Sequence, residues 1–401
     1  MRASALVAAS FALALFAAGT AAAQTRGVAA SPGDGKQGTS GWSLTPTIVY
    51  AGSWDDNVLI HSEGDATAGD YLTVVNPRGT LEYNSARTQF AINYDGAFLL
   101  YRAFDTLDSY DQHGGLSLER LLTKRLRIFV RDSAALTPTT DAVEFVGVPF
   151  LRTGSRINDV RGGIDFALSK RTTMTLAYTT QWIGFDQSGA FAQLLHGGHS
   201  QGGAATMRHQ VSSRATLVGN YDYQHAGVDA IDTSFDIQTT TAGLEYRLTD
   251  LTTVSVGVGI SHLNLNALGP SRTGPAWHAS LTRQFRRAGL DLSYSRSFVP
   301  SYGLGGTMEN EEALGRARLP MTRRLYAQAA LSWRRNEPLS IGELRLKSWW
   351  YSGGVGYSLT PWLRAEGFYN GAHQTIDRPG GLLNRNQIGF QLIVTQPMRI
   401  R

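Results

Sequence analysis

The sequence predicts an all-β fold: a transmembrane, antiparallel up-and-down β-barrel of about eighteen strands. Three observations predict it. Long segments alternate apolar and polar side chains with a period of two. Short polar turns recur about every forty residues, alternating with longer Gly/Asp/Ser-rich connections. After the N-terminal region no stretch approaches the ~18 consecutive apolar residues of a membrane helix.

The N-terminus sets the compartment. Met1-Arg2 is a short positive start, Ala3 to Ala18 are uncharged and apolar, and Ala21-Ala22-Ala23 supply the small residues of a cleavage site. Residues 1–23 therefore read as a secretory signal peptide, too short and Ala-rich for a stable span. The same signal suits a periplasmic enzyme, so the remainder has to separate the two. There is no cysteine, which excludes a lipoprotein, disulfides and Cys-bound metal. Residues 24–41 are Gly/Ser/Ala-rich without periodicity and read as a flexible periplasmic leader. Residues 42–401 are expected to form the barrel.

Composition fits that division. Glycine is 44 of 401 residues, aromatics are 10% and charged residues only 17%, an odd balance for a soluble enzyme. It suits a closed membrane sheet, whose apolar residues are spread one in two. The net charge of +5 is modest and gives no reason to expect a nucleic-acid partner.

From Trp42 onward the strands can be read in order. Met174, Leu176, Tyr178 and Trp182 fall on one face, against Thr173, Thr175, Thr179 and Gln181. The pattern repeats with Val254, Val256, Val258 and Ile260, and again with Leu290, Leu292 and Tyr294. Short turns are expected near Ser85, Lys124, Lys170, Ser213, Asp250, Arg287, Arg323 and Pro361. Their text is similar: Leu168-Ser169-Lys170-Arg171-Thr172, Leu248-Thr249-Asp250-Leu251-Thr252, Leu359-Thr360-Pro361-Trp362-Leu363. The long connections are 55–70, 103–109, 134–154, 186–199, 227–235, 264–274, 298–310, 335–343 and 371–383. Eight turns alternating with nine loops give an even strand number with both ends on the short-turn side, the asymmetry of outer-membrane barrels.

A sheet in lipid cannot keep an open edge, so the first strand (42–53) must pair with the last (385–397). Aromatics gather near strand ends (Trp42, Trp54, Tyr83, Tyr101, Tyr110, Trp182, Trp333, Trp349, Trp350, Trp362 and Tyr369), as expected of girdles at the two interfaces. Gln387-Ile388-Gly389-Phe390-Gln391-Leu392-Ile393-Val394 resembles the insertion signal read by the barrel-assembly machinery, although the chain runs on to Arg401 without a terminal Phe.

With apolar faces outward, the lumen receives Arg78, Glu82, Asp95, Glu119, Arg127, Arg131, Arg161, Asp165, Asp222, Glu245, Arg247, Asp291, Arg316, Arg318, Arg364 and Glu366. On the lipid side an Arg at mid-depth would cost about 2–4 kcal/mol. These charges read either as a solvated wall of ion pairs or, in the rows Arg127/Arg131 and Arg316/Arg318, as a guide for anions. About eighteen strands enclose an aqueous channel. The loop 134–154 carries apolar Phe145-Val146-Gly147-Val148-Pro149-Phe150, so it packs on something: the lumen as a constriction, or its neighbours above the membrane.

No Gly-x-Ser-x-Gly elbow, His-Glu-x-x-His pair or phosphate-cradling loop occurs, so neither enzyme activity nor a cofactor is expected. His196-Gly197-Gly198-His199 lacks the further ligands a metal would need, and no metal site is expected.

The repeated turn text, as in Leu168-Ser169-Lys170-Arg171-Thr172-Thr173-Met174-Thr175-Leu176-Ala177-Tyr178, resembles that of the outer-membrane barrel porins of proteobacterial exopolysaccharide gene clusters. The resemblance implies passive passage of a secreted polysaccharide across the outer membrane, in partnership with a periplasmic polysaccharide-export protein. Inward aromatic rings in a grooved lumen would favour that role. A general diffusion porin for small hydrophilic solutes is the alternative, favoured by an inward constriction loop. A tightly filled lumen would instead favour an adhesin or structural barrel.

Overall fold

A computed structural model describes residues 40–400 except 63–66, 141–145, 187–194, 230–232, 266–269, 286–287, 303–305, 340–343 and 378–380. The expected signal peptide and nearly all of the expected leader lie outside the described residues.

The chain forms eighteen long strands: β1 (Gly41–Asp55), β2 (Asp70–Asn84), β3 (Thr88–Tyr101), β4 (Ser109–Thr123), β5 (Leu126–Thr137), β6 (Ser155–Ala167), β7 (Thr172–Phe185), β8 (Gly198–Gln210), β9 (Ala215–Val228), β10 (Thr233–Thr249), β11 (Thr252–Asn264), β12 (Arg272–Gln284), β13 (Gly289–Pro300), β14 (Thr307–Pro320), β15 (Leu325–Pro338), β16 (Leu346–Ser358), β17 (Leu363–Ile376) and β18 (Leu382–Thr395). Each pairs antiparallel with the next, and β18 returns to β1 from Thr47↔Thr395 to Asp55↔Gln387. A three-residue continuation, β19 (Met398–Ile400), extends that seam along Trp42–Leu44. The sheet is therefore closed, which leaves no edge in lipid.

Seven of the eight expected tight turns fall where the sequence places them, the one near Arg287 lying outside the described residues, and a recurring hydroxyl explains their shared text. The backbone N–H three residues on donates to Ser85, Thr123, Ser169, Ser212, Thr322 and Thr360, at 2.9–3.1 Å. A Ser or Thr at the strand end or within two residues beyond it thus caps the reversal locally. At the other end the strands outrun the sequence reading. β13 and β14 continue to Pro300 and from Thr307, β15 to Pro338 and β17 to Ile376. Polar, Gly-rich text looked like loop there, but the ladders continue because both strands project together.

Faces follow the period of two. Val254, Val256, Val258 and Ile260 point outward, and Val258 is 62% exposed, as a lipid-facing side chain must be. Trp42 packs tilted on Tyr83 and edge-on on Phe90, and Trp54 edge-on on Tyr71, at the two ends of the same wall, as interfacial girdles do. Two expected girdle residues do not belong there. Trp349 is 41% exposed, but its neighbour Trp350 is 3% exposed and points in, since adjacent strand residues cannot share a face. Tyr101 likewise shares the inward face of Ala97 and Leu99. A closed antiparallel barrel with an apolar outer belt and long loops at one end is an integral protein of the bacterial outer membrane. The long-loop end is then extracellular.

Candidate functional site: the lumen and its extracellular constriction

The inner face changes character along the barrel axis. Toward the short-turn end it is charged and solvated; toward the long-loop end it is apolar and covered. The rule "apolar means outward" fails in this second zone. Val49, Ala51, Leu72, Val74, Ala97 and Leu99 all point inward and are buried.

What covers them is loop, Val58 and Leu59 between β1 and β2 with Phe104 and Leu107 between β3 and β4, and beside these runs the connection between β5 and β6. From residue 146 it enters the barrel mouth. Val148 packs with Ile183 and Phe185 of β7, Leu195 and Tyr302. Phe150 packs with Ile60, Trp350, Ala372 and Leu383, its ring 5.1 Å from that of Trp350. The Phe150 N–H donates to Gln374 Oε1 at 2.8 Å, fixing the backbone to β17. Arg152 donates from Nε to the Val58 carbonyl at 2.7 Å and from its terminal nitrogen to the Tyr101 hydroxyl at 2.6 Å. These contacts reach β3, β7, β16 and β17, so the segment crosses the lumen.

Two backbone positions make the crossing possible. Gly147 has φ +69°, and a Cβ there would lie 2.7 Å from Met308 Sδ and 2.9 Å from Ser301 Oγ. Only glycine takes that conformation and that approach without cost. Ile60, facing Phe150 from the β1–β2 loop, has φ 55°, a genuine outlier for a β-branched residue. Its buried apolar contacts and the Asn57 side chain, which binds the His61 N–H and carbonyl at 3.0 and 2.8 Å, hold it there. The third partner is the β13–β14 loop. The Tyr302 phenol is buried, and that burial pushes its pKa up to about 12, so it stays neutral. Within the expected loop 134–154, residues 146–152 therefore take the inward course, not the alternative of packing above the membrane, while Phe145 lies outside the described residues.

The pairing register puts every charged residue expected in the lumen on the inward face. One group assembles on β4–β6. Arg127 bridges Asp165 (2.6 Å) and Glu119 (3.1 Å), and Arg131 binds the other oxygen of Glu119 at 2.8 Å. Arg131 stands directly opposite Arg161 in the ladder. A second group lies across the barrel on β13–β17. Asp291 is opposite Arg316, Arg318 lies 5.7 Å from the Tyr326 ring, and Tyr326 and Gln328 donate to Glu366 at 3.0 and 2.6 Å. Arg78 pairs with Asp95 at 3.2 Å. Glu82, Arg247 and Arg364 sit near the short-turn ends of β2, β10 and β17, and Asp222 on β9. The first group's arginines remain about 30% exposed, so solvent reaches them within the barrel.

Several inner charges escaped the sequence reading. Glu245 pairs with Arg208, whose strand β8 (GHSQGGAATMRHQ) has too few apolar residues to show its parity. Arg334 pairs with Glu312 at 3.0 Å and stacks 5.3 Å from Trp350. Asp55 is fully buried against Arg385 at 2.6 Å and Gln387 at 2.8 Å, across the closing seam. Asp55 falls in the expected connection 55–70, whereas Arg385 opens the expected last strand. Among the described residues no group of three or more His, Asp or Glu could hold a metal ion. His199, the second residue of β8, faces outward, 3.9 Å from Asp229.

No protein-family model matches the chain, and no curated protein matches it. Solved structures do. OccAB4 of Acinetobacter baumannii aligns at 8% identity over 91% of this chain and 100% of that one, with a TM-score of 0.46. OpdK of Pseudomonas aeruginosa with vanillate gives 7% identity, 89% and 99% coverage and a TM-score of 0.47. OpdO of the same organism gives 11%, 90%, 97% and 0.45.

Proposed function

We propose that the protein is a passive outer-membrane channel for small hydrophilic solutes. The observation that carries this reading is the segment 146–152, which crosses the mouth and is anchored on opposite walls by Val148 on Ile183 and Phe185 of β7 and by Phe150 on Trp350 of β16. A constriction of this kind limits the cross-section of what passes, while the charged, solvated lower lumen keeps water and ions in the path. Paired charges of both signs give weak ion selectivity, with the Arg127/Arg131/Arg161 group and the Arg316/Arg318 group as the walls a solute meets.

Passage of a polysaccharide, with a periplasmic export protein as partner, is the reading the turn text first implies. A chain of sugar rings would have to displace a segment buried on several strands, so the constriction supports the small-solute reading better. The deciding experiment uses the purified barrel in planar bilayers, with deletion of the gene in its native host alongside. Stable single-channel conductance, partitioning of small sugars but not oligosaccharides, and unchanged polysaccharide secretion on deletion are expected. Lost secretion with an intact outer membrane would overturn the reading in favour of export.

A further inference from the structure

The seam between β12 and β13 is unlike the others. Its ladder climbs from Gln284↔Gly289 to Trp277↔Arg296 and stops, although β12 continues to Arg272 and β13 to Pro300. The flanking ladders run on to Leu263↔Arg272 and Pro300↔Thr307. Residues 272–276 and 297–300 are thus paired on one side only. Pro275 and Pro300 lie on these bare stretches, and a residue without an N–H cannot extend a ladder.

Above the break the two strands part in depth. Below it, Arg296 shares the outer face with Trp277, its guanidinium 4.8 Å from the indole. Phe298, two residues on and of the same parity, is buried instead among Ala226, Phe235, Ile237 and Leu263, which are inner-face residues of β9–β11. A Cβ on Gly274 of β12 would meet the Phe298 ring at 2.6 Å. The β13–β14 hairpin has therefore moved inside β12, and Phe298 fills the resulting slot. An open backbone edge facing hydrocarbon costs several kcal/mol per group, and here the Phe298 ring, 5% exposed, is what closes the gap that the ladder leaves.

The outer rim of the slot is charged. Arg296 contacts Glu309 at 2.6 Å and Glu311 at 3.3 Å, and Arg335, Glu337 and Arg345 continue the row. It sits toward the extracellular strand ends, beside interfacial Trp333 and Trp349. The Arg296 Nε–H is buried without a partner, so one donor at the rim is unused.

We propose that this seam is a lateral passage between the upper lumen and the outer leaflet, used by single-chain amphiphiles with an anionic head. The chain replaces the Phe298 ring against Phe235, Ile237 and Leu263, and the head accepts from Arg296. This route is separate from axial passage of small solutes, and neither depends on the other.

The test places the photoreactive residue p-benzoylphenylalanine at position 298 of the full-length barrel in lipid nanodiscs, with dodecanoate as probe. Irradiation is expected to give dodecanoate adducts at 298, and Arg296→Gln to reduce their yield about tenfold, the loss of one charge-assisted hydrogen bond. The same photoprobe at lipid-facing 256 provides the positive control for labelling, and conductance of each variant reports that the barrel is intact. Cross-links from 298 confined to β10 and β11, with labelling intact at 256, would overturn the proposal. So would equal dodecanoate labelling with and without Arg296.

Discussion

The Phe150 ring lies 5.1 Å from that of Trp350, although one belongs to the loop after β5 and the other to β16 on the opposite wall. That contact makes a surface loop into a beam across the mouth. Truncating a buried Phe typically costs about 3–5 kcal/mol, enough to release one end of such a beam. Phe150→Ala and Trp350→Ala are each expected to raise single-channel conductance, and the double variant to add little, because both remove one shared contact. Unchanged conductance in all three would show that the segment does not limit flow.

Gly147 tests the same beam through its backbone. Gly147→Ala forces a side chain onto Met308 and Ser301 and into the left-handed region, a strain of about 1–2 kcal/mol. The expected result is a noisier channel with frequent upward conductance steps in bilayer recordings, while the barrel's resistance to SDS at room temperature is kept.

Arg127 sits between two carboxylates, Asp165 and Glu119. Arg127→Ala leaves the β4–β6 wall one positive charge poorer. Reversal potentials across a KCl gradient should move toward cation selectivity. The shift should shrink as total salt rises, since the Debye length falls from about 10 Å at 0.1 M to about 3 Å at 1 M. A shift that survived high salt unchanged would point to altered pore shape instead.

The Arg385–Asp55 pair is buried across the seam that closes the barrel. Removing one partner strands a buried charge at a typical cost of about 3–5 kcal/mol. Arg385→Met is expected to lower the temperature at which the folded, fast-migrating band converts to the unfolded one on SDS gels. Combining it with Asp55→Asn should recover part of the loss, whereas an equal or larger loss would mean the charge pair is not the cause.

Much of this protein could be read from local text. Alternation such as Val254–Ile260 sets which face meets lipid, because strand geometry assigns faces by parity alone. The Ser169 and Thr360 hydroxyls close their own turns within three residues, so the short turns among the described residues, the strand number and the inward side of Arg127, Arg131 and Arg316 were all legible. The tertiary structure decided what depends on distant partners. The destination of Val148 and Phe150 is set by Tyr302, Gln374 and Trp350, residues more than 150 positions away. The inward turn of Trp350 and Tyr101, the burial of Asp55 on Arg385 and the break above Trp277↔Arg296 have the same origin. Each is a contact between segments that meet only once the barrel has closed. A period of two specifies a face, and it carries no information about which loop will come to cover it.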